Sequence, residues 1–177
     1  MKKQMIALMC LAATAAVCAG CTKDEKKPAE KAAPAPVAST AAEAKTTLPK
    51  GWTDDFGAAQ KTAEKDKKTM LVLFTGSDWC IWCQRLEEQI LSKKEFTEEA
   101  PKDFVLVFLD FPSDKSKTTP AKMAANRALA EKYGIQGFPT ILLMDAKGAV
   151  KAQTGFQRMS PAEYVAHLRE LAKKDAQ

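Results

Sequence analysis

Cys80 and Cys83 stand within the segment TMLVLFTGSDWCIWCQRLEEQIL, residues 69–91, separated only by Ile81 and Trp82. Side chains three positions apart share one face of a helix, so the two sulfurs can meet in a small disulfide ring. Ahead of them a run of strand formers at 70–74 breaks at Thr75-Gly76-Ser77 and gives way to a helical pattern, which sets both thiols at the mouth of a helix. The unsatisfied N–H groups of a first helical turn favour an anion there, in this case a thiolate. Two thiols that can give up two electrons to an acceptor and close into a disulfide are a redox device. The competing readings are an inert static bridge and half of a metal site. Tetrahedral zinc wants four Cys or His ligands, and beyond Gly20 the chain offers only Cys21, Cys80, Cys83 and His167, which disfavours zinc. Met70, Met123, Met144 and Met159 fall at packing positions and make no copper box. The redox reading requires neither a metal nor an organic cofactor.

The elements that position the pair come from the 49–177 region of a 177-residue chain with 46% hydrophobic residues, enough for one domain with a real core. Phe56, Ala59 and Ala63 recur at helical spacing after Trp52, which predicts an amphipathic helix from about Asp54 to Lys67 with Trp52 among its apolar positions. The all-apolar run 70–74 reads as a strand buried on both faces. The motif helix is expected over 79–91, with Trp82, Leu86 and Ile90 on its inner stripe. A further turn follows at 94–100 and ends at Pro101. FVLVFLDF, 104–111, is the second buried strand, and 112–119 is an exposed loop. Thr119-Pro120 opens a helix whose inner face carries Ala125, Leu129 and Tyr133 and which stops at Gly134. Strand 140–144 turns through Asp145-Ala146-Lys147-Gly148 into a hairpin partner at 149–154. Ser160-Pro161-Ala162-Glu163 has the pattern of a capping box and launches a last helix to about Lys173, with Val165, Leu168, Leu171 and Ala172 inward. The expected order is α-β-α-β-α-β-β-α, an α/β fold in which a mixed central sheet has helices on both faces.

The preceding segments are of a different kind. Residues 1–20 read as an export signal, with Lys2 and Lys3 ahead of an apolar stretch too short to span a bilayer comfortably. Ala19-Gly20-Cys21 resembles a bacterial lipobox, although Cys18 stands where Leu is usual. The resemblance implies a lipid anchor on Cys21; ordinary cleavage, for instance after Ala19, is the alternative. Either outcome puts the mature protein outside the cytoplasm, and acylation also removes an unpaired Cys21 thiol from an oxidising compartment. Residues 21–48 read as a disordered tether: the 22–48 stretch holds eight Ala, three Pro and nine charges and no aromatic residue. As coil it would span about 30 Å. Net charge is +5 overall, but from Pro49 onward 20 Lys/Arg face 18 Asp/Glu, which argues against a nucleic-acid surface.

The element order, Trp79-Cys80-Ile81-Trp82-Cys83 and Tyr133-Gly134-Ile135-Gln136-Gly137-Phe138-Pro139-Thr140 together resemble the thioredoxin superfamily across nearly all of 52–173. Gly76-Ser77-Asp78-Trp79-Cys80 is most similar to exported bacterial thioredoxin-like proteins and to the C-terminal domain of DsbD-type thiol-reducing proteins. The resemblance implies that the Phe138–Pro139 bond is cis, that Pro139 lies against the disulfide, and that the backbone of Phe138 pairs with a substrate strand. The buried Asp of thioredoxin's preceding strand is Phe74 here, so the proton acceptor for Cys83 must lie elsewhere; Asp78 and Glu87 are candidates, Asp78 being equally a cap for the motif helix. Trp79 is expected in an apolar rim around the disulfide and Trp82 either there or in the core. His167 is expected as a solvated surface residue on the last helix.

These readings converge on an extracytoplasmic thiol–disulfide oxidoreductase, acting as a monomer and as a reductase on protein disulfides, with Cys80 attacking and Cys83 resolving. It needs a redox partner to supply electrons, and it meets a membrane only through its N-terminal lipid. The alternatives are a Cu(I)-binding module using the same thiols and a binding module that uses the Phe138–Pro139 edge and leaves its disulfide idle.

Overall fold

The computed structural model describes residues 48–173; the export signal, Cys21 and most of the tether lie outside the described residues. The elements run β1 Trp52–Thr53, α1 Phe56–Asp66, β2 Thr69–Thr75, α2 Ile81–Leu86, α3 Lys94–Asp103, β3 Phe104–Asp110, α4 Pro120–Lys132, β4 Thr140–Met144, β5 Val150–Thr154 and α5 Pro161–Ala172. The five strands form one mixed sheet in the order β1-β3-β2-β4-β5. β1 and β2 run parallel to β3, and β4 is antiparallel to both β2 and β5. The three interior strands, β2, β3 and β4, are buried on both faces, which is why their sequences are nearly continuous apolar runs with no alternation.

The pleat sends alternate residues to opposite faces and builds two cores. Leu71, Leu73, Leu106, Phe108, Ile141 and Leu143 pack against Leu86, Ile90, Phe96, Tyr164, Val165 and Leu168. Met70, Val72, Phe74, Val107, Leu109, Leu142 and Met144 pack on the other face with Ala59 and Ala63 of α1. Each fully buried Leu, Ile or Phe contributes about 2 kcal/mol from the area it removes from water. The motif helix therefore sits on the first face, fastened through Leu86 and Ile90.

Several expectations need correction. Trp52 is not on α1: it lies in a short edge strand paired with β3 and packs against Phe96 and Phe108, on the opposite face from Ala59. The helix starts after it, because Asp55 takes an extended conformation and its carboxylate caps the N–H of Ala58. Pro101 does not end α3; it sits in the last turn, where only one backbone hydrogen bond is forfeited, and its carbonyl accepts from Lys68 Nζ at 2.8 Å. Ala125 of α4 is exposed, and the buried position there is Asn126, whose amide donates to the Asp110 carbonyl at 2.9 Å. His167 is half-buried, with Nε2 3.4 Å from Thr154 Oγ1.

Other signals hold. α4 ends in a Schellman motif, with Gly134 at φ 64° and N–H bonds from Ile135 to Ala130 and from Gly134 to Glu131. The Ser160–Glu163 capping box is present. Tyr164, which the periodicity reading left out, is fully buried on α5 and donates to the Gly155 carbonyl at 2.8 Å. Burial pushes its phenol pKa well up, so it remains a protonated donor.

Candidate active site

Cys80 and Cys83 form a disulfide, with Cα atoms 5.2 Å apart. Cys80 is the N-cap of α2: its backbone is extended, and its Sγ accepts the Cys83 N–H at 3.2 Å. When the bond is reduced, that same N–H and the open first turn face a Cys80 thiolate, which they stabilise. Cys80 is 6% exposed and Cys83 3%, so both residues are buried. The expected 79–91 helix has two parts. After Leu86 the chain makes a π-turn, Glu87–Leu91, closed by Ser92 N–H to the Glu87 carbonyl at 2.9 Å. The extra residue per turn lets adjacent Ile90 and Leu91 both face the core.

The loop ahead of Cys80 is clamped from β3. Asp110, buried at the end of that strand, accepts the Ser77 N–H at 2.9 Å and the Ser77 hydroxyl at 2.7 Å. Gln84 of the motif helix donates to the Ser77 carbonyl at 3.3 Å. Asp78 points away from the helix and holds the following loop, accepting from Ser113 N–H at 2.9 Å and Asp114 N–H at 3.0 Å and pairing with Lys117 at 3.6 Å. The capping role considered for Asp78 is thus taken by Cys80 itself. Partial burial alone would raise its pKa, but the N–H donors and Lys117 outweigh that and hold it below the ordinary carboxylate value, which makes it a poor proton acceptor. Glu87 has the opposite character. Burial first, then the charges of Asp110 and Glu88, push its pKa up. Its N–H bonds to the carbonyls of Cys83 and Gln84, so the residue stands one helical turn beyond Cys83.

Around the recessed sulfurs the surface is aromatic. Trp79 is 51% exposed, Ile81 56% and Trp82 43%. Trp82 belongs to this rim and not to the core: it is exposed and packs in neither apolar cluster. Trp79 meets Phe138 edge-on at 5.7 Å, Phe138 meets Phe111 at 5.0 Å, and Trp79 Nε1 donates to the Phe111 carbonyl at 2.8 Å. Gly76 is required beneath this indole: a Cβ there would come within 2.5 Å of Trp79 Cε2. On the other side Trp82 packs on Phe156 at 5.7 Å and carries the Arg85 guanidinium 4.7 Å above its ring. The Phe138–Pro139 bond is cis. Gly155 lies so close to the Pro139 carbonyl that a Cβ on it would sit 3.0 Å away.

Sequence reasoning missed Asp110, Ser77, Ile81 and Phe156. The one available signal was Asp110, a single charge at the end of an otherwise apolar run. Among the described residues no group of three or more His, Cys, Asp or Glu is gathered as metal ligands, and no helix is long and apolar enough to cross a membrane.

This fold and this pair define a class. Residues 56–172 match the thioredoxin-like domain family, and the chain belongs to it. It is a thioredoxin-like thiol–disulfide oxidoreductase. Among its relatives is the disulfide bond reductase DsbH of Chlamydia pneumoniae, 32% identical over 120 residues that cover 68% of this chain and 72% of that protein. The thiol:disulfide interchange protein DsbD of Actinobacillus pleuropneumoniae serotype 5b (strain L20) is 32% identical over 98 residues, 54% of this chain but 15% of that protein. A solved DsbH oxidoreductase superposes with TM-score 0.64 at 29% identity, over 76% of this chain and 95% of the other. A thioredoxin from Thermus thermophilus, at 22% identity and TM-score 0.51 over 70% and 87%, shares the fold.

Proposed function

We propose that this protein is an exported reductase of protein disulfides, tethered to a membrane through acylated Cys21 and residues 21–48. The observation that carries the reading is Cys80 at the helix N-cap, recessed within an exposed aromatic rim. A Cys80 thiolate attacks one sulfur of the substrate disulfide, forming a mixed disulfide and expelling a substrate thiolate. Cys83, deprotonated with Glu87 as acceptor, then attacks Cys80 Sγ and releases the second substrate thiol. The substrate gains two electrons and two protons, and the protein is left with the Cys80–Cys83 disulfide, which an external dithiol donor reduces again. Trp79, Phe138 and the cis Pro139 form the rim against which a substrate strand lies. The Chlamydia pneumoniae relative is a disulfide bond reductase, which supports the same direction.

The test is a protein-disulfide reduction assay with a dithiol donor. Wild type should turn over, Cys80→Ser and Cys83→Ser should not, and Cys83→Ser should accumulate mixed disulfides through Cys80. Trapping by Cys80→Ser instead reverses the roles of the two thiols. A wild-type protein inert on every disulfide offered ends the reading.

A further inference from the structure

Near the disulfide, α2, the π-turn after it and the segment after β5 border an open groove of about 480 Å³ lined by Arg85, Gln89, Phe156, Arg158 and Met159. Its floor continues the aromatic rim, because Trp82 of the Cys-x-x-Cys motif packs on Phe156 at 5.7 Å and lies under Arg85 at 4.7 Å. Its far wall belongs to the strand exit that touches Pro139 through Gly155 and is held from within by Tyr164. The groove is thus fixed relative to both the sulfurs and the cis-proline loop. Its charge is unanswered: among the described residues neither Arg85 nor Arg158 forms an ion pair with a carboxylate. Arg169 on α5 makes the contrast. There the same residue type is met by Asp103 at 2.7 Å and Glu99 at 3.3 Å. Two guanidinium forks, a Gln amide and an apolar floor suit a carboxylate on a short aliphatic stem.

We infer that this groove receives an acidic side chain from a polypeptide substrate, close in sequence to the disulfide being reduced, and so sets a preference for acidic disulfide segments. The inference rests on the reductase reading and names the substrate class of that site. The stacking of Arg85 on Trp82 restricts the guanidinium before substrate arrives, which lowers the entropy lost on pairing. Because both arginines are exposed, each contact is worth a factor of about two to five, and salt weakens it.

Three disulfide-linked peptides of one sequence, differing only in Glu, Gln or Lys beside the cysteine, would test this with the full-length protein and a dithiol donor. The expected order of kcat/KM is Glu, then Gln, then Lys, with Glu about ten-fold over Lys at low ionic strength and the ratio shrinking in high salt. Arg85→Gln combined with Arg158→Gln should bring the Glu-to-Lys ratio near one whatever their common rate, and Arg158→Glu should reverse the order. Equal rates on the Glu and Lys peptides with wild type, or a preference that survives the double substitution, would overturn the inference while leaving the reductase reading intact. Failure to reduce any of the three would instead remove the reductase reading, and this inference with it.

Discussion

Glu87 combines a raised pKa with a place one turn beyond Cys83, and its titration has a definite sign. A carboxyl whose pKa is higher in the folded chain binds more protons there than when unfolded, so stability falls as pH climbs from its ordinary value of 4.5 through the raised one. Glu87→Gln removes that penalty. The variant should be more stable than wild type at neutral pH, with the difference vanishing in urea titrations run below pH 4.5. The same substitution should lengthen the lifetime of the mixed disulfide by about 100-fold, since Cys83 loses its proton acceptor. A stabilised Glu87→Gln protein with an unchanged resolving rate would retain the electrostatics and dismiss Glu87 from the chemistry. The cysteine pair was legible in the sequence, and Glu87 only as one of two candidate acceptors beside Asp78, because one helix carries them and its period relates them. Asp110 was not: its partner Ser77 is 33 positions away, and only the β2–β3 pairing brings the two together.

The motif loop depends on contacts of that long-range kind, and Gly76 is where they are least forgiving. With a Cβ at that position the Trp79 indole must leave its seat and its bond to the Phe111 carbonyl. Gly76→Ala should therefore cost about 1 kcal/mol of unfolding free energy in a urea titration, the net worth of one hydrogen bond. It should slow reduction of protein disulfides by more than that stability loss accounts for, because half of the rim is displaced while Cys80 keeps its cap. An active Gly76→Ala protein with unchanged kinetics would show that Trp79 is not part of the rim substrates use. Local chemistry made the capping box on α5, the Schellman end of α4 and the buried strands readable in advance. Trp52 and the π-turn were not readable for the same physical reason as each other. Both are settled by what the sheet offers to pack against: Phe96 and Phe108 draw Trp52 into an edge strand, and the core accepts Ile90 and Leu91 together only if the helix widens.

For the molecule as a whole, two expectations concern where it works and which way it runs electrons. Ala19-Gly20-Cys21 leads to the expectation that membrane-extracted protein begins at a diacylated or triacylated Cys21, and intact-mass analysis would read the added lipid directly. An unmodified N-terminus at Gly20 would mean a soluble exported protein. Direction follows from how strongly the reduced pair is stabilised. Strong oxidants hold their reduced form by putting a cation beside the thiolate. Here the residues between the cysteines are Ile81 and Trp82, which carry no charge, and the nearest cation in sequence, Arg85, is engaged over the Trp82 ring. The nearby carboxylates supply no cation either: Asp110 and Glu88 push Glu87 towards its neutral form, and Asp78, two residues before Cys80, keeps its charge in a pair with Lys117. What remains to favour the thiolate is the helix N-terminus and the single Cys83 N–H, a modest stabilisation. The potential should then lie at about −200 mV or lower, close to the thioredoxin range, and the dithiol should pass its electrons to substrate whenever a donor is present. Equilibration against a glutathione series would measure it; a value near −120 mV would make the protein an oxidant and turn the proposed direction round.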